Sequence, residues 1–127
     1  MTSLDTNVVL RYFLNDIPEQ SSKAKAVIVG SSVYVTDVVI TEVVFVLERV
    51  IEMDRLDITR LVKTFLSLPN LIYNDYFIDQ TTDLYGAQKS LSFVDCYAAT
   101  EAKMYSNSLV TFDKQLAKHG GNHVREL

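Results

Sequence analysis

The chain has 127 residues, 48% of them hydrophobic, a formal net charge of −4 and a pI near 5.0. That length suits a single domain spanning 1–127 with a sizeable core, and the acidic balance argues against the broad basic surface that marks most nucleic-acid binders. The lone cysteine, Cys96, excludes an internal disulfide and fits a reducing cytoplasm, and no uncharged apolar run approaches the roughly 18 residues a membrane helix needs.

The acidity has a second reading. If four of the 16 acidic side chains hold cations, the remaining 12 balance the 12 lysines and arginines, and bound divalent ions change the local field again. Nucleic acid is therefore demoted as a partner, not excluded. The N-terminal segment lacks a basic stretch ahead of its apolar residues, and Arg11, Asn15 and Asp16 interrupt it, so it does not read as a signal peptide. We expect a cytoplasmic protein with no membrane partner.

In chain order, a very short apolar run ends at Asp5 and is followed by Val8, Val9, Leu10, Tyr12, Phe13 and Leu14. This predicts a first strand with Asp5 at its C-terminal end, then a helix. Pro18 disfavours helix at Ile17 and opens a second helix at its first turn, which stops near Gly30. Val33–Thr36 is β-branched and reads as a second strand. Thr36 and Asp37 cap a long helix from Val38 to about Glu52. On its wheel Asp37, Thr41, Glu48 and Glu52 share a polar arc, while Glu42 lies at the edge of that arc beside Arg49, with apolar turn neighbours. Asp57-Ile58-Thr59 caps a helix that Pro69 ends, and Leu71–Tyr73 reads as a short strand. A helix follows from Asp75 to about Ser90. Ser92 and Asp95 open a small-residue helix that ends at Tyr105. Ser108–Phe112 is a strand ending at Asp113, Lys114–His119 a short helix stopped by Gly120-Gly121, and 123–127 a last edge strand. Strands alternating with helices predict an α/β domain with a parallel sheet and right-handed crossovers.

Four carboxylates recur at element junctions: Asp5, Glu42, Asp95 and Asp113. Each has a plain alternative. Asp5 is a turn or cap residue, Glu42 a surface charge near Arg49, Asp95 the third helical residue of a capping box begun by Ser92, and Asp113 an N-cap. As a set they point elsewhere. Asp5 and Asp113 both end predicted parallel strands, at the sheet edge where ligands of open α/β folds sit, and Asp95 and Glu42 lie near the starts of helices that face that edge. Like charges gathered there raise each other's pKa, a cost usually borne when a hard cation sits among them. Mg²⁺ and Mn²⁺ take oxygen ligands and leave positions for water and phosphate, which suits attack of an activated water on a phosphodiester.

The ordered segments Leu4-Asp5-Thr6-Asn7-Val8-Val9-Leu10-Arg11-Tyr12, Thr41-Glu42-Val43-Val44-Phe45-Val46-Leu47-Glu48, Phe93-Val94-Asp95-Cys96-Tyr97-Ala98-Ala99 and Thr111-Phe112-Asp113-Lys114-Gln115-Leu116 resemble the PIN-domain ribonucleases. Among these, the resemblance is nearest to the VapC-type toxins of toxin–antitoxin pairs. Each segment is short; the ordered set covers essentially the whole chain. The resemblance implies a three-layer α/β/α fold around a central, mostly parallel sheet. It implies an endoribonuclease dependent on Mg²⁺ or Mn²⁺ that leaves a 3′-hydroxyl and a 5′-phosphate. Asp5, Glu42, Asp95 and Asp113 match the acidic metal-binding positions, Thr6 and Asn7 the polar residues beside the first, Thr111 the hydroxyl before the last, and Arg11 a position suited to phosphate or to a surface ion pair. Ala98, Ala99 and Ala102 match a small helix face suited to close packing. The resemblance also implies a cognate antitoxin and a homodimer. The family's supplementary acid after the last Asp is absent, since Lys114, Gln115 and Leu116 follow Asp113.

Other chemistries fare worse. His119 and His123 flank Gly-Gly without Cys or acidic neighbours at zinc spacing and read as solvated loop residues. Cys96, on a small-residue helix, reads as packed. No Gly-rich phosphate loop is present. The seven scattered tyrosines read as core and interface residues rather than a base-stacking platform. A signalling receiver domain fits length and acidity but wants adjacent acids after the first strand. A dehalogenase-type phosphatase wants Asp where Asn7 stands. A PIN-like scaffold that binds RNA or a partner without cleaving it is the other alternative.

Overall fold

The computed structural model describes every residue from Met1 to Leu127 and falls into two compact units, Met1–Asn74 and Asp75–Leu127. Seven helices alternate with five short strands, the mixed α/β pattern the sequence predicts.

The first unit holds β1 (Thr2–Ser3), α1 (Thr6–Leu14), α2 (Pro18–Gly30), β2 (Val33–Tyr34), α3 (Asp37–Arg49), α4 (Arg55–Leu66) and β3 (Leu71–Ile72). Its strands form a parallel sheet in the order β1-β2-β3, with Thr2 opposite Val33 and Val33 opposite Leu71. The ladder continues past the strands: Leu4 N–H donates to Tyr34 O (2.8 Å) and Val35 N–H to Ile72 O (3.1 Å). Leu4, Val33 and Val35 are buried, as apolar residues of a parallel sheet must be when helices cover it.

Helix α1 ends where expected. Asn15 takes the left-handed conformation (φ 48°) and its N–H caps Arg11 O, a position Asn tolerates better than most residues. Ser21 Oγ donates to the same carbonyl (2.8 Å) and ties α2 to α1. Helix α3 stops at Arg49, three residues short of the sequence expectation. Glu52 turns the chain with φ 59°, and Ile51 and Met53 N–H groups bond back to Val46 and Leu47. The same turn starts α4 at Arg55, two residues ahead of the expected Asp57. Glu48 holds this corner through Arg55 (3.0 Å), both side chains largely shielded from solvent. The core is Val9, Leu10, Ile28, Ile40, Val43, Val44, Leu47, Ile58, Val62 and Phe65, with Phe13 edge-on to Phe65 at 5.0 Å.

The second unit holds α5 (Asp75–Ala87), α6 (Phe93–Met104), β4 (Leu109–Thr111), α7 (Lys114–His119) and β5 (Val124–Glu126). Strands β4 and β5 pair in parallel, Leu109 opposite Val124, so the last segment pairs as a strand, as predicted. Helix α5 ends at Ala87 rather than Ser90. Its extensive partner is α6, and the small face does what its size suggests: Ala99 and Ala102 are buried, as is Cys96. Thr81 and Thr82, also buried, return their hydroxyl protons to Phe77 O and Ile78 O one turn back (2.7 and 2.8 Å), so neither leaves an unsatisfied polar group.

Candidate active site

In the first unit, Asp5 follows β1 directly and occupies the N-cap position of α1. Its backbone carbonyl accepts from Val8 and Val9 N–H, yet its carboxylate makes no capping bond and is exposed. Helix α3 begins just past β2. Since β1 and β2 are parallel, α1 and α3, which pack together, both start at the C-terminal edge of this sheet. Glu42 is the sixth residue of α3, about 7.5 Å along the axis from Asp37 at 1.5 Å per residue. It is exposed and carries no ion pair, because Arg49 reaches Glu48 instead (3.4 Å).

The flanking residues divide. Thr6 is buried in the first turn of α1, and Asn7 is exposed beside it. Arg11 is committed to Asp16, with both carboxylate oxygens 2.7 Å from one guanidinium nitrogen. Asp37, which sequence reasoning placed only on the polar arc of α3, is half-buried and accepts from Asn74 Nδ2 (2.9 Å).

In the second unit, Asp95 is the third residue of α6. Ser92 caps the helix by accepting from Asp95 N–H (3.1 Å), but the Asp95 carboxylate does not close the reciprocal half of a capping box. It is half-buried and makes no hydrogen bond or ion pair. Asp113 follows β4 and is an N-cap in full, with Oδ1 accepting from Gln115 and Leu116 N–H (2.8 and 3.0 Å). Thr111 Oγ1 accepts from Asp113 N–H (2.9 Å) and sets its backbone. The short link from α6 to β4 reverses the chain, and the two elements touch. The start of α6, with Asp95, therefore lies toward the end of β4 that carries Asp113.

In each unit one predicted carboxylate directly follows a parallel strand, Asp5 after β1 and Asp113 after β4, and a second lies in the first two turns of a helix, Glu42 in α3 and Asp95 in α6. Three of the four, Asp5, Glu42 and Asp95, are free of partners in the chain; only Asp113 is partly engaged, through one oxygen. No group of three or more His, Cys, Asp or Glu side chains is drawn together around a common point. The donors nonetheless fit a hard divalent cation, being uncommitted carboxylate oxygens, and Mg²⁺ characteristically takes only one or two protein carboxylates and keeps its remaining positions for water and phosphate.

The engagement of Asp113 has a measurable consequence. Asp113→Ala should cost about 1 kcal/mol through loss of the cap, whereas Asp113→Asn, an equally good N-cap residue, should change stability by no more than a few tenths. Urea denaturation of both variants checks this, and equal losses would show that the cap does not hold α7.

The sequence reading of the two histidines needs correcting for one of them. His123 Nε2 lies 2.7 Å from Ala99 O; facing a carbonyl, that nitrogen is the donor. His123 is therefore anchored to α6 rather than being a solvated loop residue. A contact across 24 positions leaves no trace in local sequence.

Parallel strands followed by helices define the class, an α/β protein. The PIN-domain family model matches residues 3–122, nearly the whole chain and both units, and the protein belongs to the PIN-domain family. That family is in general one of metal-dependent nucleases that act on RNA. No curated protein sequence matches the chain. No helix is long and apolar enough to cross a membrane.

Proposed function

We propose that this protein is an endoribonuclease of the VapC toxin type, hydrolysing RNA phosphodiester bonds with Mg²⁺ or Mn²⁺ and held in check by a cognate antitoxin in the cytoplasm. One observation carries the reading: in a PIN-family chain, three acidic side chains, Asp5 after β1, Glu42 in α3 and Asp95 in the first turn of α6, are committed to nothing else in the fold. In this reading 1–127 acts as one domain, as a family match spanning both units suggests, and Asp5, Glu42, Asp95 and Asp113 together hold the metal.

A divalent ion bound there supplies an acidified water and neutralises charge on the scissile phosphate. The chain's own residues do the rest. The carboxylates bind and orient, Thr111 and the α7 cap fix where the remaining Asp113 oxygen points, and Thr6 and Asn7 border the first carboxylate. Arg11, tied to Asp16, acts on phosphate only by exchanging that partner. No side-chain nucleophile is required. Val38 and Phe45 are exposed on α3 on either side of Glu42, and a homodimer contact would cover these two apolar side chains. A dimer also offers a shared groove for RNA that offsets the acidity of each copy.

The test is cleavage of end-labelled total RNA by antitoxin-free protein with Mg²⁺, with Mn²⁺ and with chelator. Discrete cuts bearing 5′-phosphate that vanish with chelator are expected. Binding of RNA without metal-dependent turnover would replace this reading with a non-catalytic PIN-like scaffold.

A further inference from the structure

The second unit contains a cavity of about 440 Å³ that no carboxylate lines, in a chain of net charge −4. Its polar wall is Lys103 from α6, His119 from the last turn of α7, and the loop Gly121-Asn122-His123; Gln80 faces it from α5. Neither the Lys103 side chain, which is exposed, nor the His119 side chain forms an ion pair or hydrogen bond within the chain. This is a different place from the carboxylates. The loop leads into the start of β5, while Asp113 follows the end of β4, and the two strands are parallel; the cavity is at the opposite sheet edge.

The loop backbone adds to this. Gly120 is right-handed (φ −79°, ψ −12°) and Gly121 is left-handed (φ 120°). Successive backbone N–H groups in a turn of alternating hand form concavities that bind anions. Gly120 N–H is used on Leu116 O (2.8 Å) and Val124 N–H on Gly121 O (3.1 Å), but the N–H groups of Gly121, Asn122 and His123 have no acceptor in the chain. His123 is half-buried, whereas Gly121 and Asn122 are exposed, so these N–H groups are reachable by a ligand from solvent. Only glycine fits the turn: a Cβ on Gly121 would lie 2.9 Å from the His123 ring, which the Ala99 bond holds in place.

We propose that this cavity binds a phosphate group, with Lys103 and the Gly121–His123 amides as its donors, and that the apolar wall of Leu84 and Ala99 accepts the adjoining nucleoside. The volume lies within the range of small-molecule sites, roughly 300–1,000 Å³. The source of the phosphate is either a free nucleotide or an RNA chain. The proposal does not rest on the nuclease reading.

Amide NMR of the full chain, with chelator present to prevent turnover, distinguishes these. Inorganic phosphate, adenosine 5′-monophosphate and a short single-stranded RNA are titrated in turn. Saturable shifts of the Gly121, Asn122 and His123 amides are expected. Lys103→Ala should weaken binding at least about tenfold, as loss of a charge-assisted contact does, while Lys118→Ala, the same charge lost outside the cavity, should leave it within about twofold. Shifts with all three probes assign a free phosphate or nucleotide; shifts with RNA alone assign a backbone phosphate. No saturable shift with any probe, or equal weakening by both substitutions, overturns the proposal.

Discussion

Asp5→Asn should lower metal-dependent RNA cleavage by about a hundredfold or more while leaving the fold intact. The loss follows from the role proposed for the carboxylate: a ligand to a cation that stabilises developing charge supplies several kcal/mol, and each 1.36 kcal/mol is about tenfold in rate. The intact fold follows from geometry. The Asp5 carboxylate makes no capping bond to α1, and Asn is as good an N-cap residue as Asp, so stability should move by no more than about 0.5 kcal/mol. Single-turnover cleavage assays and urea denaturation, run on the same preparations, check both halves. Asp95→Asn should behave alike, since its carboxylate is also uncommitted. Activity unchanged in both variants, with folding confirmed, would end the assignment of these side chains to catalysis.

Leu47→Ala should cost roughly 2–5 kcal/mol of stability, against a total of about 5–15 kcal/mol for a typical domain. Leu47 is fully buried on α3 beside Val43 and Val44, 2% and 1% exposed, and α3 packs against both α1 and α4. Removing its branch leaves a void that these helices close only in part. The melting temperature should fall on the order of 10 °C. Two residues away, Phe45 is 59% exposed, so Phe45→Ala should leave the unfolding free energy of the separate chain nearly unchanged and weaken self-association instead. Thermal unfolding and sedimentation of the two variants separate these effects. A small loss for Leu47→Ala would mean that α3 is not part of the first unit's core.

Much of the fold was legible because the punctuation is strong. Pro18 at the start of α2, Thr36 and Ser92 as caps, and Gly120 at the end of α7 are local signals whose physics acts within one turn. The four carboxylates were legible in the same way, as acidic residues at junctions between strand and helix. Where local signals were weak, boundaries moved. Helix α3 ends before the Glu52 turn, at a corner where Glu48 meets Arg55 of α4, a contact that depends on where α4 lies.

The sequence by itself determined the class: parallel α/β alternation, a PIN-family order of motifs, and the identity of the residues whose oxygens are proposed to meet a metal. Those follow from side-chain chemistry and nearest-neighbour backbone preference, both of which are written along the chain. Only the tertiary structure decided how each side chain is used. It committed Arg11 to Asp16 and one oxygen of Asp113 to α7, left Asp5, Glu42 and Asp95 uncommitted, and anchored His123 to Ala99. It also brought Lys103, His119 and three unpaired amides around one cavity. Hydrogen bonds and cavities join positions far apart in the chain, and which pairs meet is set by how helices and strands pack, a property of the whole fold rather than of any local stretch.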